Sequence, residues 1–289
     1  SPLAGFGLSH KPRRGFETDL GLSAGSNQYL RNTVKDYHEY SLWVRQELNR
    51  SRKHRTAFTV GGSRIPSYYL RQLVDDDESA AAGVTIHNSA EFGLNRGYIG
   101  VSQEIINRYL SVEGRYARER RNYNRHFNER DSSSGVTLLQ VNIYPAGGIG
   151  FRIRPWYEQE RRESRGDLAS STTVIDDEVG FNSNLYGVEL RGLWGKDKDH
   201  RNTVRGYYQR EVREFGSRNA ADLSHFDRED RITKVGVGYS RDLGARWKLG
   251  LSAYHRNNDI SISTSKFLRN VVTFSAGWSF DRRFKDPER

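Results

Sequence analysis

The sequence predicts an all-β protein, namely a transmembrane antiparallel up-and-down β-barrel of about 12 strands, within a range of roughly 10–14. Three observations predict this fold. Apolar residues recur at every second position in a series of short segments, the chain is rich in aromatic but poor in apolar residues, and short and long connections alternate between the segments.

The segment 270–280 shows the alternation most clearly. Its apolar residues are two positions apart, and most of the residues between them are small or polar. Because successive side chains of a strand point to opposite faces, this strand has one apolar and one polar face. We expect it to close the barrel by pairing with 16–27, the first predicted strand. Its predicted lipid-facing residues are Val272, Phe274, Ala276, Trp278 and Phe280.

The composition fits a barrel better than a soluble core or a disordered chain. Only 35% of the 289 residues are apolar and 28% are charged, and the mean hydropathy is −0.82. Disordered chains share those values but lack 16 Tyr, 13 Phe and 5 Trp. In a barrel, lipid meets only one face of each strand over a band of about 25 Å, which aromatic residues border on both sides.

The residues that the chain lacks exclude several classes of protein. There is no cysteine, which excludes a disulfide framework and a cysteine metal site. No apolar run approaches the ~18 residues of a membrane helix. There is also no Met, so we expect that an N-terminal piece has been removed, either a signal peptide or a larger upstream domain.

The predicted domain organisation has three parts: a lead-in segment at 1–15, the barrel at 16–280 and a short tail at 281–289. Short turns near Asn107 and Gly147 alternate with long charged connections near Asp76 and Asp131. Within the strands, Pro66 predicts a bulge or weak pairing, and a change in the apolar register around Gly97 predicts a second bulge.

These features resemble those of Gram-negative outer-membrane β-barrel proteins at the level of the superfamily. The last strand, Val272–Phe280, resembles the signal by which the barrel-assembly machinery recognises its clients, except that nine residues follow it here. The resemblance implies a location in the bacterial outer membrane. The partners that it implies are outer-membrane lipid, lipopolysaccharide, the assembly machinery and other envelope proteins.

The charged residues that alternation places on the inward face of the predicted strands form the candidate pore lining. The net charge of +10 predicts either a lumen that attracts anions or a nucleic-acid surface, and the lipid-like strand faces disfavour nucleic acid. Acids and bases interleaved on one strand also fit a ladder of cross-strand ion pairs that fills a narrow lumen. Alternation also places Arg256 on the inward face of its strand. The predicted pore-lining residues are Arg45, Glu47, Arg64, Glu113, Arg115, Arg152, Arg154, Glu189, Arg191, Arg205, Lys234 and Lys248.

Arg152 and Arg154 have no acid between them, which makes them the strongest candidates for an anion path; Lys234 and Lys248 come next. The sequence therefore predicts a pore for polar solutes, including anionic ones such as acidic saccharides or polysaccharides. A structural or partner-binding barrel with a salt-bridged, closed lumen is the alternative. The chain also fits the C-terminal barrel of a longer secretion protein.

An enzyme is a weaker hypothesis. His87-Asn88-Ser89 resembles the His-x-Ser pair of outer-membrane phospholipases and lipid A deacylases, in which His would be the general base and Ser the nucleophile. The residues that follow, Ala90 and Glu91, depart from the polar pair of those motifs. No cofactor is expected. The acidic run Asp75–Glu78 is predicted to be a solvated loop rather than a metal site.

Overall fold

The computed structural model contains a single antiparallel sheet of 13 strands, each hydrogen-bonded to the next one along the chain. It describes residues 3–13, 16–27, 36–51, 54–74, 83–85, 87–145, 150–164, 180–195, 200–217, 220, 222, 225–244, 247–261 and 267–278. A 3₁₀ segment at Arg125–Arg130 lies between the sixth and seventh strands. The strands are β1 Leu3–Arg13, β2 Phe16–Asn27, β3 Tyr37–Ser51, β4 His54–Val74, β5 His87–Ile106, β6 Leu110–Tyr123, β7 Ser132–Ile143, β8 Phe151–Ser164, β9 Phe181–Trp194, β10 Asn202–Phe215, β11 Glu229–Leu243, β12 Trp247–Ile260 and β13 Phe267–Trp278.

The strand register brings the alternating apolar residues onto one face of the sheet, here called the apolar face. Val44 pairs with Leu20 on one side and with Val60 on the other. At the far edge, Leu251 pairs with Phe274. Val272 and Phe274 are 73% and 70% exposed, so their face meets the surroundings rather than a protein core. Within the described part of the chain, no helix is long and apolar enough to cross a membrane.

Two rows of aromatic residues border the apolar face. Tyr186 stands at the upper and Trp194 at the lower end of the apolar stretch of β9, eight residues apart along one strand. At about 3.3 Å per residue and a strand tilt of roughly 40°, that spacing corresponds to a band of about 20 Å. The upper row comprises Tyr40, Tyr116, Tyr157, Tyr186 and Tyr208; the lower row includes Phe151, Trp194, Trp247 and Trp278.

Connections of two lengths alternate along the chain, as the sequence predicts. The loops that join β4 to β5 and β8 to β9 are long, whereas those that join β3 to β4 and β5 to β6 are two or three residues long. The connections at the upper end of the sheet, beside the tyrosine row, are six to sixteen residues long, and those at the lower end are two to seven residues long. This asymmetry is typical of outer-membrane sheets.

The first strand and its pairing differ from the prediction. Leu3–Arg13 forms β1 within the sheet, although the sequence analysis expected 1–15 to be a lead-in segment. β2 is hydrogen-bonded to β1 and to β3, so the predicted pairing of 16–27 with the last strand is wrong. The strand was not predicted because its apolar stretch is short and lies among glycines and basic residues. In the structure, Phe6 pairs with Leu22 and Leu8 pairs with Leu20. Phe280 and the predicted tail lie outside the described residues.

Of the two predicted irregularities, one is confirmed and one is wrong. The register of β4 shifts between Ile65 and Tyr68, next to Pro66, because proline cannot donate a ladder hydrogen bond. The pairing continues without a shift through Gly97. Phe92 lies on the opposite face from Ile99. The strand itself is regular, and its apolar residues move from one face to the other along its length, which resembled a bulge in the sequence.

The opposite face of the sheet, here called the polar face, has aromatic rings packed flat over glycines. A Cβ atom added to Gly21 would lie 2.3 Å from the Trp43 ring, and one added to Gly187 would lie 2.4 Å from the Trp156 ring. Tyr207 covers Gly236 in the same way. Glycine is required here because any side chain would displace the ring. The polar face thus contains both rings and charged groups.

Candidate functional site

The polar face carries eleven of the twelve predicted pore-lining residues. The register places Arg45, Glu113, Glu189 and Lys234 on this face together with the others. Arg64 is the exception, and its assignment to the lining is wrong. It has the same parity on β4 as Val60 and pairs with Tyr40 and Asn95, which puts it on the apolar face beside the tyrosine row.

Glu189 is the centre of the most strongly charged cluster. Its carboxylate oxygens accept bonds from Arg152 Nη2 at 2.6 Å and from Arg154 Nη2 at 3.0 Å, and Arg205 Nε also contacts it. The Glu189 side chain is only 1% exposed. A carboxylate this deeply buried requires paired donors on its lone pairs, which the three arginines supply.

This cluster retains a positive charge after pairing. Three guanidinium groups meet one carboxylate, and Arg191 adds a fourth cation between Arg152 and Arg205 in the register. The sequence analysis identified Arg152 and Arg154 as an anion path with no acid between them. The structure supplies an acid from the neighbouring strand, because Arg154 and Glu189 are cross-strand partners.

A second group of cations forms a row across β11, β12 and β13. Lys234 pairs with Arg256, and Arg256 pairs with Arg269. Among the described residues, none of the three contacts a carboxylate. The Arg256 Nε atom is buried without a hydrogen-bond partner there. Like charges opposite one another are destabilising, so this row is a site to which an anion would add favourable contacts.

Aromatic rings position Lys234 within this row. Its Nζ atom lies 4.3 Å from the centre of the Tyr254 ring and 5.5 Å from that of Tyr207. Cation–π contacts stabilise an ammonium group without neutralising it. The two rings therefore hold the Lys234 ammonium group in place on the polar face.

Elsewhere on the polar face, cations have acids beside them. Glu47 accepts from Arg55 Nε at 3.0 Å and from Arg45 Nη2 at 3.5 Å. Arg96 Nε lies 3.0 Å from Glu119 Oε1. Lys248 pairs in register with Asp242. These residues match the ion-pair alternative of the sequence analysis.

Sequence reasoning missed two features of this site. Arg269 lies two positions before Val271, on the same face, but outside the segment 270–280 that defined the predicted strand. Extending the alternation upstream would have found it. The position of Arg96, opposite Glu119, depended on pairing between strands and had no signal in the sequence of β5 alone.

The structure does not test the predicted catalytic pair His87 and Ser89. Ser89 is exposed on the same side of β5 as Glu91, and its carbonyl oxygen accepts a bond from Asn124 Nδ2 at 2.7 Å. The side chain of His87 lies outside the described residues, so the His-x-Ser prediction stays a prediction. Among the described residues, no group of three or more His, Asp or Glu side chains is arranged to hold a metal ion.

No protein-family model and no curated protein sequence matches the chain. In structure, it is similar to OmpT, an outer membrane protein of Vibrio cholerae, at 8% identity and a TM-score of 0.41, covering 92% of this chain and 98% of that one. It is also similar to a bacterial polysaccharide outer membrane secretin, at 8% identity and a TM-score of 0.43, covering 96% of this chain and 90% of that one. A Pseudomonas aeruginosa FadL homologue is similar at 9% identity and a TM-score of 0.40, covering 94% of this chain and 75% of that one. At such identities and TM-scores, none of these proteins determines what this chain does.

The chain's own surface places the sheet in a membrane. The apolar face is exposed across all the strands and is bordered by tyrosines above and by tryptophan and phenylalanine below. Antiparallel sheets with these two aromatic rows and with long loops at one end occur in bacterial outer membranes. The polar face is then the face turned away from lipid.

Proposed function

We propose that the sheet closes through its two edge strands, β1 and β13, into an outer-membrane barrel whose lumen conducts polar solutes and prefers anionic ones. Acidic saccharides or polysaccharides are the solute class that this charge pattern fits. The row of Lys234, Arg256 and Arg269, which contacts no carboxylate among the described residues, is the observation that carries the proposal.

Closure follows from the requirements of a membrane. The outer edges of β1 and β13 would expose unpaired backbone groups to lipid, where each such group costs several kcal/mol. Joining the two edges removes that cost and encloses the polar face. With 13 strands, β1 and β13 run in the same direction, so the seam is parallel, as in the 19-stranded mitochondrial barrel.

Selectivity follows from the charges on the enclosed face. The arginines around Glu189 and the row on β11–β13 would lower the energy of an anion in the lumen and raise that of a cation. A lumen with low-dielectric walls strengthens this effect. Solute oxygens, such as carboxylates of acidic saccharides, would bond to the guanidinium groups in the geometry that arginine favours.

The test is a reversal-potential measurement in a planar bilayer under a KCl gradient. We expect single-channel conductance with a chloride preference that weakens as salt increases, because salt screens the charges. Conductance with a potassium preference would contradict the anion preference. A folded protein that never conducts would contradict the pore itself.

The absence of conductance would favour the second candidate, a partner-binding barrel with a closed lumen. Two observations support that candidate: the ion pairs of Glu47 and Glu119, and the rings that cover Gly21, Gly187 and Gly236 on the same face. In that case the lumen would be filled by its own side chains. Function would then depend on the long loops.

A further inference from the structure

The apolar face contains a groove at its upper end, lined by residues of β1–β8. It has a volume of about 1840 Å³, and its lining includes Leu42, Val60 and Ile99 towards the middle of the sheet and Arg64, Arg118 and Arg120 at the upper end. The groove therefore changes from apolar to charged along the strand direction, and its charged end contains the carboxylates Glu119, Asp131 and Glu163 as well as the arginines.

A row of glycines forms the groove. Gly62 pairs with Gly97, Gly97 pairs with Arg118, and Arg118 pairs with Gly135. A Cβ atom at Gly97 would meet no atom within 4 Å. Tyr116 covers Gly135, but the space above Gly97 is open, so the surrounding leucines, valines and tyrosines leave a depression there.

The three arginines form a compact cationic cluster. Arg64 and Arg120 are both paired with Asn95, one on each side of it, and Arg118 is two residues from Arg120 on the same face. All three side chains are exposed, and among the described residues none of them contacts a carboxylate. The strand spacing of about 4.8 Å places Arg64 and Arg120 roughly 10 Å apart.

Two other exposed arginines on the same face, Arg161 and Arg231, are paired with acids. Arg161 Nη2 lies 3.3 Å from Glu163 Oε1, and Arg231 Nε lies 2.5 Å from Glu229 Oε1. Three carboxylates also line the groove. Glu163 is paired with Arg161 and Glu119 with Arg96, and Asp131 Oδ1 accepts a hydrogen bond from the Tyr123 backbone N–H. The cluster of Arg64, Arg118 and Arg120 thus differs from these other arginines in having no acid two residues away.

We propose that this groove binds one phosphorylated lipid of the outer leaflet, of the lipopolysaccharide type. Its acyl chains would lie along Leu42, Val60 and Ile99, and its phosphates would accept hydrogen bonds from Arg64, Arg118 and Arg120. Charge complementarity selects this occupant, because three cations directly above an apolar strip match an anionic headgroup attached to hydrocarbon. Tyr40 and Tyr116 flank the groove at headgroup level, where tyrosine is favoured in membranes. The site does not require the lumen to conduct.

The test is native mass spectrometry of the folded protein in neutral detergent, titrated with diphosphorylated lipid A. Wild-type protein should retain one lipid, and Arg118→Gln should weaken binding several-fold. The triple variant R64Q/R118Q/R120Q should weaken it about tenfold or more, because charge-assisted hydrogen bonds are lost. Arg231→Gln removes an equally exposed but paired arginine and should leave binding unchanged.

Two further experiments test the acyl-chain contacts and the phosphate contacts separately. At Gly97 an added Cβ atom meets nothing within 4 Å, so Gly97→Val should fill the groove and weaken lipid A binding while the arginines remain. Fully dephosphorylated lipid A should bind wild-type protein about as weakly as lipid A binds the triple variant. Equal binding of lipid A to wild-type and triple-variant proteins that both run as folded species on unheated gels would overturn the proposal. The proposal would also be overturned if wild-type protein bound dephosphorylated lipid A as tightly as diphosphorylated lipid A.

Discussion

The two halves of the polar face use the same packing but different charge. In the first half, β1–β7, acids match the cations closely: Glu47 accepts from two arginines, and Glu119 accepts from Arg96. In the second half, β8–β13, Glu189 meets three arginines, and the row that begins at Lys234 has no acid among the described residues. Aromatic rings cover glycines in both halves. The difference implies that the first half stabilises the sheet, whereas the second half also attracts anions.

The largest expected effect on this comparison comes from Glu189→Gln. This change leaves three guanidinium groups around a neutral amide, and breaking a buried ion cluster costs about 3–5 kcal/mol. The free energy of unfolding, measured by urea titration in lipid vesicles, should fall by that amount. Glu163→Gln is the matched control, because its carboxylate is 70% exposed, and it should cost less than about 1 kcal/mol. Equal costs would show that the Glu189 cluster does not support the second half.

The next largest effect should be common to both halves. Gly187→Ala would place a Cβ atom 2.4 Å from the Trp156 ring, and Gly21→Ala would place one 2.3 Å from the Trp43 ring. Each should lower the free energy of unfolding by about 1–3 kcal/mol, as overpacking does. Gly206→Ala, where a Cβ meets nothing within 4 Å, is the control and should be nearly neutral. If Gly187→Ala destabilises the protein and Gly21→Ala does not, the two halves differ in packing as well as in charge.

A smaller effect, on the chloride preference, should show whether selectivity depends on where the charges lie or only on the net charge of the protein. K234Q/R256Q/R269Q removes the cation row and should reduce the chloride preference in a bilayer several-fold, because solutes in the lumen pass these side chains. R161Q/R210Q/R231Q removes the same charge from the opposite face and should leave selectivity unchanged. If both triple variants shift the reversal potential equally, the selectivity arises from net charge and not from the second half of the polar face.

The sequence predicted much of the sheet because alternation is a local property. The strands around Leu139, Val188 and Val237 lie where apolar residues two apart predicted them, and the rhythm of turns and loops is confirmed. β1 was missed because its apolar stretch is short and lies among glycines and basic residues. The predicted closing partner was wrong for the same reason: β1 already occupies the free side of β2.

The site was less predictable because it depends on which strands are neighbours. Alternation placed Glu189 and Arg154 on the right face, but only the register between β8 and β9 makes them partners. The assignment of Arg64 to the lumen by alternation was wrong, because its parity on β4 matches that of Val60. Near the upper aromatic row, the apolar face meets headgroups and water, where an arginine is tolerated. Charge alone therefore does not identify a lumen residue at the ends of a strand.

Cysteine accessibility tests most directly whether both halves of the polar face line one water-filled lumen. The chain has no native cysteine, so single cysteines can replace Ser41 on β3 and Ser252 on β12, with their outward neighbours Leu42 and Leu251 as controls. In vesicles, we predict that membrane-impermeant methanethiosulfonates modify both serine positions and spare both leucine positions. An anionic reagent should react faster than a cationic one at position 252, with little difference at position 41. Modification of the leucine positions alone, or equal reagent preference at 41 and 252, would contradict the account.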